Sequence, residues 1–127
     1  MTFEKKYLGQ TGEELATAFL KEQGYRILVR NFKSRLGEMD IIAKDGDVIC
    51  FIEVKTRTNN RLGTPFEAIT PAKQRKLSQG ALAYLKQNRL MDSLARFDVV
   101  SVMKGHNGSP KLEVLKNAFE LSAPYAY

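Results

Sequence analysis

The sequence predicts an α/β domain: a central mixed sheet of four to five strands flanked by helices, in the order α-β-β-β-α-β with a last β over residues 111–119. Three observations carry this. Thr11 and Glu14 stand at capping-box spacing ahead of an apolar-periodic run. Asp45-Gly46 separates two runs rich in β-formers, the strongest short-range hairpin signal. Thr70-Pro71 opens a second periodic run, and the apolar stretch 96–103 follows it.

The first helix is expected over roughly 11–23. Glu13 and Glu14 suit the positive end of its dipole, Leu15, Ala18, Phe19 and Glu22 mark one face, and Gly24 is its stop. Residues 25–32 read as a strand, broken by 34–37. Residues 38–44 and 47–57 form the two arms of the hairpin. A polar stretch, 56–69, contains Asn59-Asn60, Gly63 and Pro65 and is read as a loop. The second helix starts at Thr70-Pro71, presents Leu77, Ala81, Tyr84 and Leu85 inward, and ends near Asn88. Residues 96–103 form a strand with a continuous apolar centre, 105–110 a turn, and 111–119 a short last strand. No repeat or linker divides the chain. Residues 1–127 are read as one domain with a loose N-terminus (1–8) and C-terminal tail (120–127).

Composition bounds the function. A chain of 127 residues with 43% hydrophobic and 27% charged residues has enough apolar content for a core, which excludes disorder as the dominant state. No apolar run approaches the roughly 18 residues of a membrane span, and no basic-then-apolar leader opens the chain. Cys50 is the single cysteine, so an intramolecular disulfide framework and a Cys-rich zinc site are excluded, and a reducing cytoplasm is the expected compartment. Twenty Lys and Arg against fourteen Asp and Glu leave a net charge of +6, which favours a polyanionic partner.

Side-chain alternation resolves the hairpin into two faces. With Asp45-Gly46 as a two-residue loop, Ile42 pairs with Ile49, Asp40 with Phe51 and Glu38 with Glu53. One face then carries Glu38, Asp40, Ile42, Ile49, Phe51, Glu53 and Lys55. The other carries Met39, Ile41, Ala43, Val48, Cys50, Ile52 and Val54 and is core. Three carboxylates gathered at one end repel by roughly 1–4 kcal/mol per pair at 4 Å. Lys55 offsets one charge, and a divalent cation would offset the rest. Asp and Glu oxygens are the ligands that Mg²⁺ and Mn²⁺ take, with water and substrate phosphate completing the octahedron. Lys55 suits the support of an attacking water. Glu13 would reach the cluster if the first helix packs across this face.

Asp40 followed by Glu53-Val54-Lys55 on a hairpin, with Glu13 on a preceding helix, resembles the PD-(D/E)xK phosphodiesterase signature of restriction-endonuclease-like nucleases, the archaeal Holliday-junction resolvases among them. The whole chain is similar to the bacterial YraN family, uncharacterised proteins usually described as predicted endonucleases. The resemblance is carried by Gly12-Glu13-Glu14-Leu15-Ala16, Gly24-Tyr25-Arg26-Ile27-Leu28, Gly37-Glu38-Met39-Asp40-Ile41-Ile42, Phe51-Ile52-Glu53-Val54-Lys55-Thr56-Arg57 and Arg96-Phe97-Asp98-Val99-Val100. It implies a restriction-endonuclease-like core and a Mg²⁺- or Mn²⁺-dependent endonuclease acting on DNA, branched or structured DNA included. It also implies that Glu13, Asp40, Glu53 and the Val54 carbonyl hold the metal, and that Lys55 is the catalytic lysine. Relatives of this fold act as dimers, so a homodimer is among the partners implied. One departure is Met39, which stands where the signature has proline, at a position that varies.

Plainer readings stand beside these. Glu38, Glu53 and Lys55 also read as a solvated ion-pair ladder, and Glu13 as a residue serving only the dipole. Lys73, Arg75 and Lys76 begin the second helix, where cations oppose the dipole and a phosphate would bind. With Gln74, Arg57 and Arg61 they form the expected nucleic-acid contacts, or an ordinary basic surface. Asp98 is read as structural, a partner for an arginine such as Arg96. His106 is assigned no function, and Cys50 is read as an inert buried thiol. The competing functional class is a nucleic-acid-binding or adaptor module on a nuclease fold that no longer cuts.

Overall fold

A computed structural model describes residues 11–59, 61, 63–104 and 109–120. The expected loose N-terminus (1–8), nearly all of the tail, and the His106 turn lie outside the described residues. The elements are α1 (Gly12–Glu22), β1 (Arg26–Lys33), β2 (Glu38–Asp45), β3 (Val48–Arg57), a 3-10 turn (Phe66–Ala68), α2 (Pro71–Gln87), β4 (Ala95–Met103) and β5 (Lys111–Phe119).

Local chemistry sets these boundaries. Thr11 Oγ1 accepts from the Glu14 N–H at 3.0 Å, and Thr70 Oγ1 from the Lys73 N–H at 3.2 Å, each satisfying a donor that its helix leaves free. Pro71 takes the first turn of α2. The last strand runs nine residues and is not short. The loop after β3 holds the 3-10 turn, which the polar composition of residues 56–69 does not announce.

The five strands lie in the order β1-β2-β3-β4-β5. The first three form an antiparallel meander, α2 connects β3 to a parallel β4, and β5 returns antiparallel. Asp45 pairs with Val48 and Ile42 with Phe51, so the hairpin turn is Gly46-Asp47 and the register is two residues from the expected one. Gly46 holds φ at 62°, the left-handed conformation glycine adopts without strain. Because side chains alternate with period two, a two-residue shift leaves the residues of the β2–β3 ladder, 41–45 and 48–52, on their expected faces.

Both faces of the sheet are covered. Leu15, Ala16 and Leu20 of α1 pack on Ile41, Ala43, Cys50, Ile52, Val100 and Val102. Leu77, Ala81, Tyr84 and Leu85 of α2 pack on Ile42, Ile49, Phe51, Phe97 and Val99. Two details differ from expectation. Ala18 of α1 is exposed, because Leu15, Ala16 and Leu20 form the buried stripe and Ala18 lies outside it. Met39 joins the α2 side instead of the Ile41 side: the β2–β3 ladder stops at Ile41–Ile52, and beyond it β2 follows β1, whose Phe32 pairs with Met39. Cys50 is buried, and burial, reinforced by Asp98, pushes its thiol up to about 12.

One end of the sheet is closed by a polar network. Fully buried Asp98 accepts from the Tyr25 hydroxyl at 2.8 Å, Arg96 Nε at 2.9 Å and the Asn117 N–H at 3.0 Å. Arg96 also donates to Asp45 at 2.6 Å. The expected structural role of Asp98 beside Arg96 is what the structure contains. Among the described residues no helix is long and apolar enough to cross a membrane.

Candidate functional site

At the opposite end, β2 and β3 part. The last ladder pair is Ile41–Ile52, and the same register carried one residue further sets Asp40 against Glu53. The Val54 N–H donates to Asp40 Oδ2 at 2.8 Å, a side chain standing where a backbone acceptor would otherwise be. The Asp40 carboxylate therefore crosses the gap between the strands, where both faces feel its charge. The corrected register brings the two carboxylates closer than the expected pairing, which set Asp40 against Phe51.

Glu53 is 7% exposed. Burial, and then a hydrogen bond and like charge from Asp40, push its carboxyl up to about 7; Lys73 and Lys55 pull the other way. Lys73 Nζ lies 3.6 Å from Glu53 Oε2. Sequence reading gave the offsetting role to Lys55, which is half-buried two residues along β3. The ion pair found among the described residues is to Lys73, a residue the sequence offers for phosphate contact. A lysine in the first turn of a helix is electrostatically misplaced unless an anion faces it, and that was the available signal.

Glu13 arrives from the other side. α1 packs on the Ile41–Ile52 face, not across the carboxylate face, and its first turn brings Glu13 near enough to Asp40 to feel its charge. A Cβ at Gly12 would collide with Thr56 Oγ1, so glycine permits the close docking of this helix start on β3. Burial, with a smaller contribution from Asp40, raises the Glu13 carboxyl, while Arg30 and the Asn31 amide lower it. Arg30 Nε stands 3.8 Å from Glu13 Oε1, beyond hydrogen-bond distance. That oxygen is buried without a hydrogen-bond partner, as is Arg57 Nε. Asn31, a poor β-former inside β1, holds φ at 55°. Sequence reading did not single out Arg30 or Asn31.

Among the described residues, no group of three or more His, Cys, Asp or Glu side chains is close enough to enclose a metal ion. Asp40 and Glu53 make a pair, with Glu13 coupled to it through charge. A pair suffices for Mg²⁺, which commonly takes one or two carboxylates plus water and substrate phosphate.

The expected nucleic-acid contacts have different surroundings. Lys73 and exposed Lys76 line a cavity of about 420 Å³ together with Arg35, Leu36 and Glu38. Gln74 Nε2 donates to the Ile69 carbonyl at 3.2 Å, so its amide buttresses the start of α2. Arg57 is half-buried at the end of β3, its carbonyl accepting from the Lys104 N–H at 2.8 Å. Arg61 and Arg75 are exposed.

A family model described as "Uncharacterised protein family UPF0102" matches residues 12–102. The chain is 45% identical to a UPF0102 protein of Geotalea daltonii over 94% of each chain. It is 47% identical to one of Geobacter sulfurreducens, over 92% of this chain and 91% of that one. A third, of Caldicellulosiruptor saccharolyticus, is 48% identical over 91% and 98%.

Proposed function

The chain belongs to the uncharacterised protein family UPF0102, and we propose that it is a Mg²⁺- or Mn²⁺-dependent endonuclease hydrolysing phosphodiester bonds in DNA. One observation carries this reading: Asp40 and Glu53 are pressed together at a parted strand end, with Glu53 nearly buried and raised to about 7. A protein gains nothing in stability from two adjoining carboxylates, whereas a cation site requires them. The resemblance to the PD-(D/E)xK signature supports the same reading.

The donor set fits a hard divalent ion. Asp40 uses Oδ2 for the Val54 N–H and keeps Oδ1. Glu53 and the Val54 carbonyl stand beside it, and Glu13 brings a buried oxygen with no hydrogen bond. Asp40, Glu53 and the Val54 carbonyl would hold the ion, with Glu13 facing it from α1 through charge; when bound it supplies charge neutralisation at the phosphate and a more acidic water.

The chain's own residues would do the rest. Lys55 supports the attacking water and the charge that develops at the phosphate. Lys73, now the counter-charge of Glu53, lies where an arriving phosphate oxygen would meet it. Lys76, Arg57 and Arg61 would each meet phosphates of the DNA backbone, and Gln74 holds the helix start that presents Lys73.

The test is Mn²⁺ titration by calorimetry on the parent and on Asp40→Asn, followed by incubation of both with branched, single-stranded and linear DNA. Micromolar-to-millimolar binding and cleavage, both lost in Asp40→Asn, are expected. Salt-sensitive DNA binding with no turnover in Mn²⁺ or Mg²⁺ would move the protein to the class of non-catalytic nucleic-acid-binding modules.

A further inference from the structure

Beside the carboxylate pair, residues 34–37 form a tight turn with an apolar tip. Ser34 Oγ accepts from the Leu36 and Gly37 N–H groups, each at 3.2 Å, and donates to the Gly37 carbonyl at 3.0 Å. The Ser34 N–H donates to the same carbonyl at 3.0 Å. The turn is also braced from below. A Cβ at Gly37 would stand 2.6 Å from the Lys76 carbonyl and 3.2 Å from the Gly80 nitrogen, so the turn lies directly on the backbone of α2.

What this brace presents is Leu36, 56% exposed. Of the large apolar side chains exposed among the described residues, Leu36, Met91, Leu94 and Leu115, Leu36 is the one that lines a basic cavity. Its surroundings are basic: Arg35 adjoins it, and Arg35, Lys73 and Lys76 line the 420 Å³ cavity, with Glu38 as the one acidic group there. Lys73 joins this cavity to Glu53. That volume lies within the roughly 300–1,000 Å³ of small-molecule sites, enough for a nucleotide and not for a duplex.

We infer that the turn of residues 34–37 is a strand-separating wedge: Leu36 stacks on the last base pair of a duplex, and the Arg35–Lys73–Lys76 cavity receives the adjoining unpaired nucleotide. The inference rests on the nucleic-acid reading above and narrows its substrate to a duplex interrupted by an unpaired step. Apolar side chains on rigid supports unstack base steps in this way, and cations beside them hold the displaced phosphates. The wedge also delivers the unpaired strand toward Glu53, since Lys73 belongs to both places.

The test needs no turnover. The parent, Leu36→Ser and Leu36→Met are mixed, in EDTA, with a forked duplex carrying 2-aminopurine at the last pair and with a linear duplex carrying it internally. The parent should bind the fork about tenfold more tightly than the linear duplex, with a rise in 2-aminopurine emission on the fork alone. Leu36→Ser should lose both the rise and the preference while keeping its linear-duplex affinity; Leu36→Met should keep both. Since Leu36 is exposed, neither change should unfold the chain. Equal binding of the two DNAs by the parent, or a Leu36→Ser protein that matches the parent, overturns the wedge. Cleavage is assayed separately in Mn²⁺, so loss of the nuclease reading and loss of the wedge are distinct results.

Discussion

The Asp40 carboxylate accepts a 2.8 Å hydrogen bond from the Val54 backbone N–H, across the gap where β2 and β3 part. One side chain thus both ends the ladder and stands against Glu53. An Asn amide oxygen can accept the same bond, whereas Ala leaves the N–H without a partner. Asp40→Asn should melt within about 3 °C of the parent, and Asp40→Ala should lose roughly 1–3 kcal/mol. Both should lose at least about tenfold in Mn²⁺ affinity, since a ligand charge is gone. Thermal melts and calorimetry check this. Unchanged Mn²⁺ binding by Asp40→Asn would remove Asp40 from the metal site.

Glu53 makes stability depend on pH in an unusual direction. Its carboxyl titrates near 7 in the fold and near 4.5 in the unfolded chain, so the fold binds the proton more tightly. Stability from this group is therefore full below about 4.5, declines as pH rises, and is lost once pH passes 7. Glu53→Gln, which cannot ionise, should equal the parent near pH 4.5 and exceed it at pH 8 by on the order of 1–3 kcal/mol. Urea denaturation at the two pH values measures the difference. A gap that does not change with pH counts against a raised Glu53.

Lys73 sets how far that titration is held down. Its side chain is 40% exposed, so the ion pair itself contributes under about 1 kcal/mol to stability. Lys73→Gln should leave the melting temperature nearly unchanged and move the Glu53 midpoint further above 7. Carbon-13 NMR of the glutamate carboxyls resolves the shift. A midpoint that stays in place would mean that Lys55 supplies the counter-charge.

The network at the far end should behave as pure scaffold. Asp98→Ala leaves Arg96, the Tyr25 hydroxyl and the Asn117 N–H without their buried acceptor, a loss of roughly 3–5 kcal/mol. Tyr25→Phe removes one donor and should cost about 1–2 kcal/mol. Below their melting temperatures, both variants should bind Mn²⁺ as the parent does.

Elements were legible in the sequence where the chemistry is local. Thr11 with Glu14 and Thr70 with Pro71 announce helix starts because a cap acts within one turn. The hairpin was visible, but not its register: Asp45-Gly46 and Gly46-Asp47 both suit a two-residue turn. The face assignment survived, Met39 excepted, because the error was an even number of residues.

The candidate site was legible in part. Asp40, Glu53 and Lys55 stand out because charges interrupt apolar strands. That Asp40 would bond to the Val54 backbone was not visible, since alternation describes a continuous ladder and the ladder ends there. Lys73 lies far from Glu53 in sequence, and its contact depends on how α2 lands on the sheet. Glu13 approaches from the opposite face for the same reason: helix placement is decided by packing that no local pattern records.

Cys50 gives this protein a built-in clock. It is the single thiol in the chain, sealed between α1 and the sheet and held almost wholly protonated at neutral pH. A thiol reagent can react only when that seam opens, so the labelling rate counts openings one molecule at a time. The seam runs beneath the same helix whose first turn carries Glu13. An ion drawn to Glu13 as well as to Asp40 would pin α1 and slow the clock. DNA held by α2 alone would slow it only as far as it steadies the whole fold. One sulfur atom thereby separates events on the two faces of a single sheet.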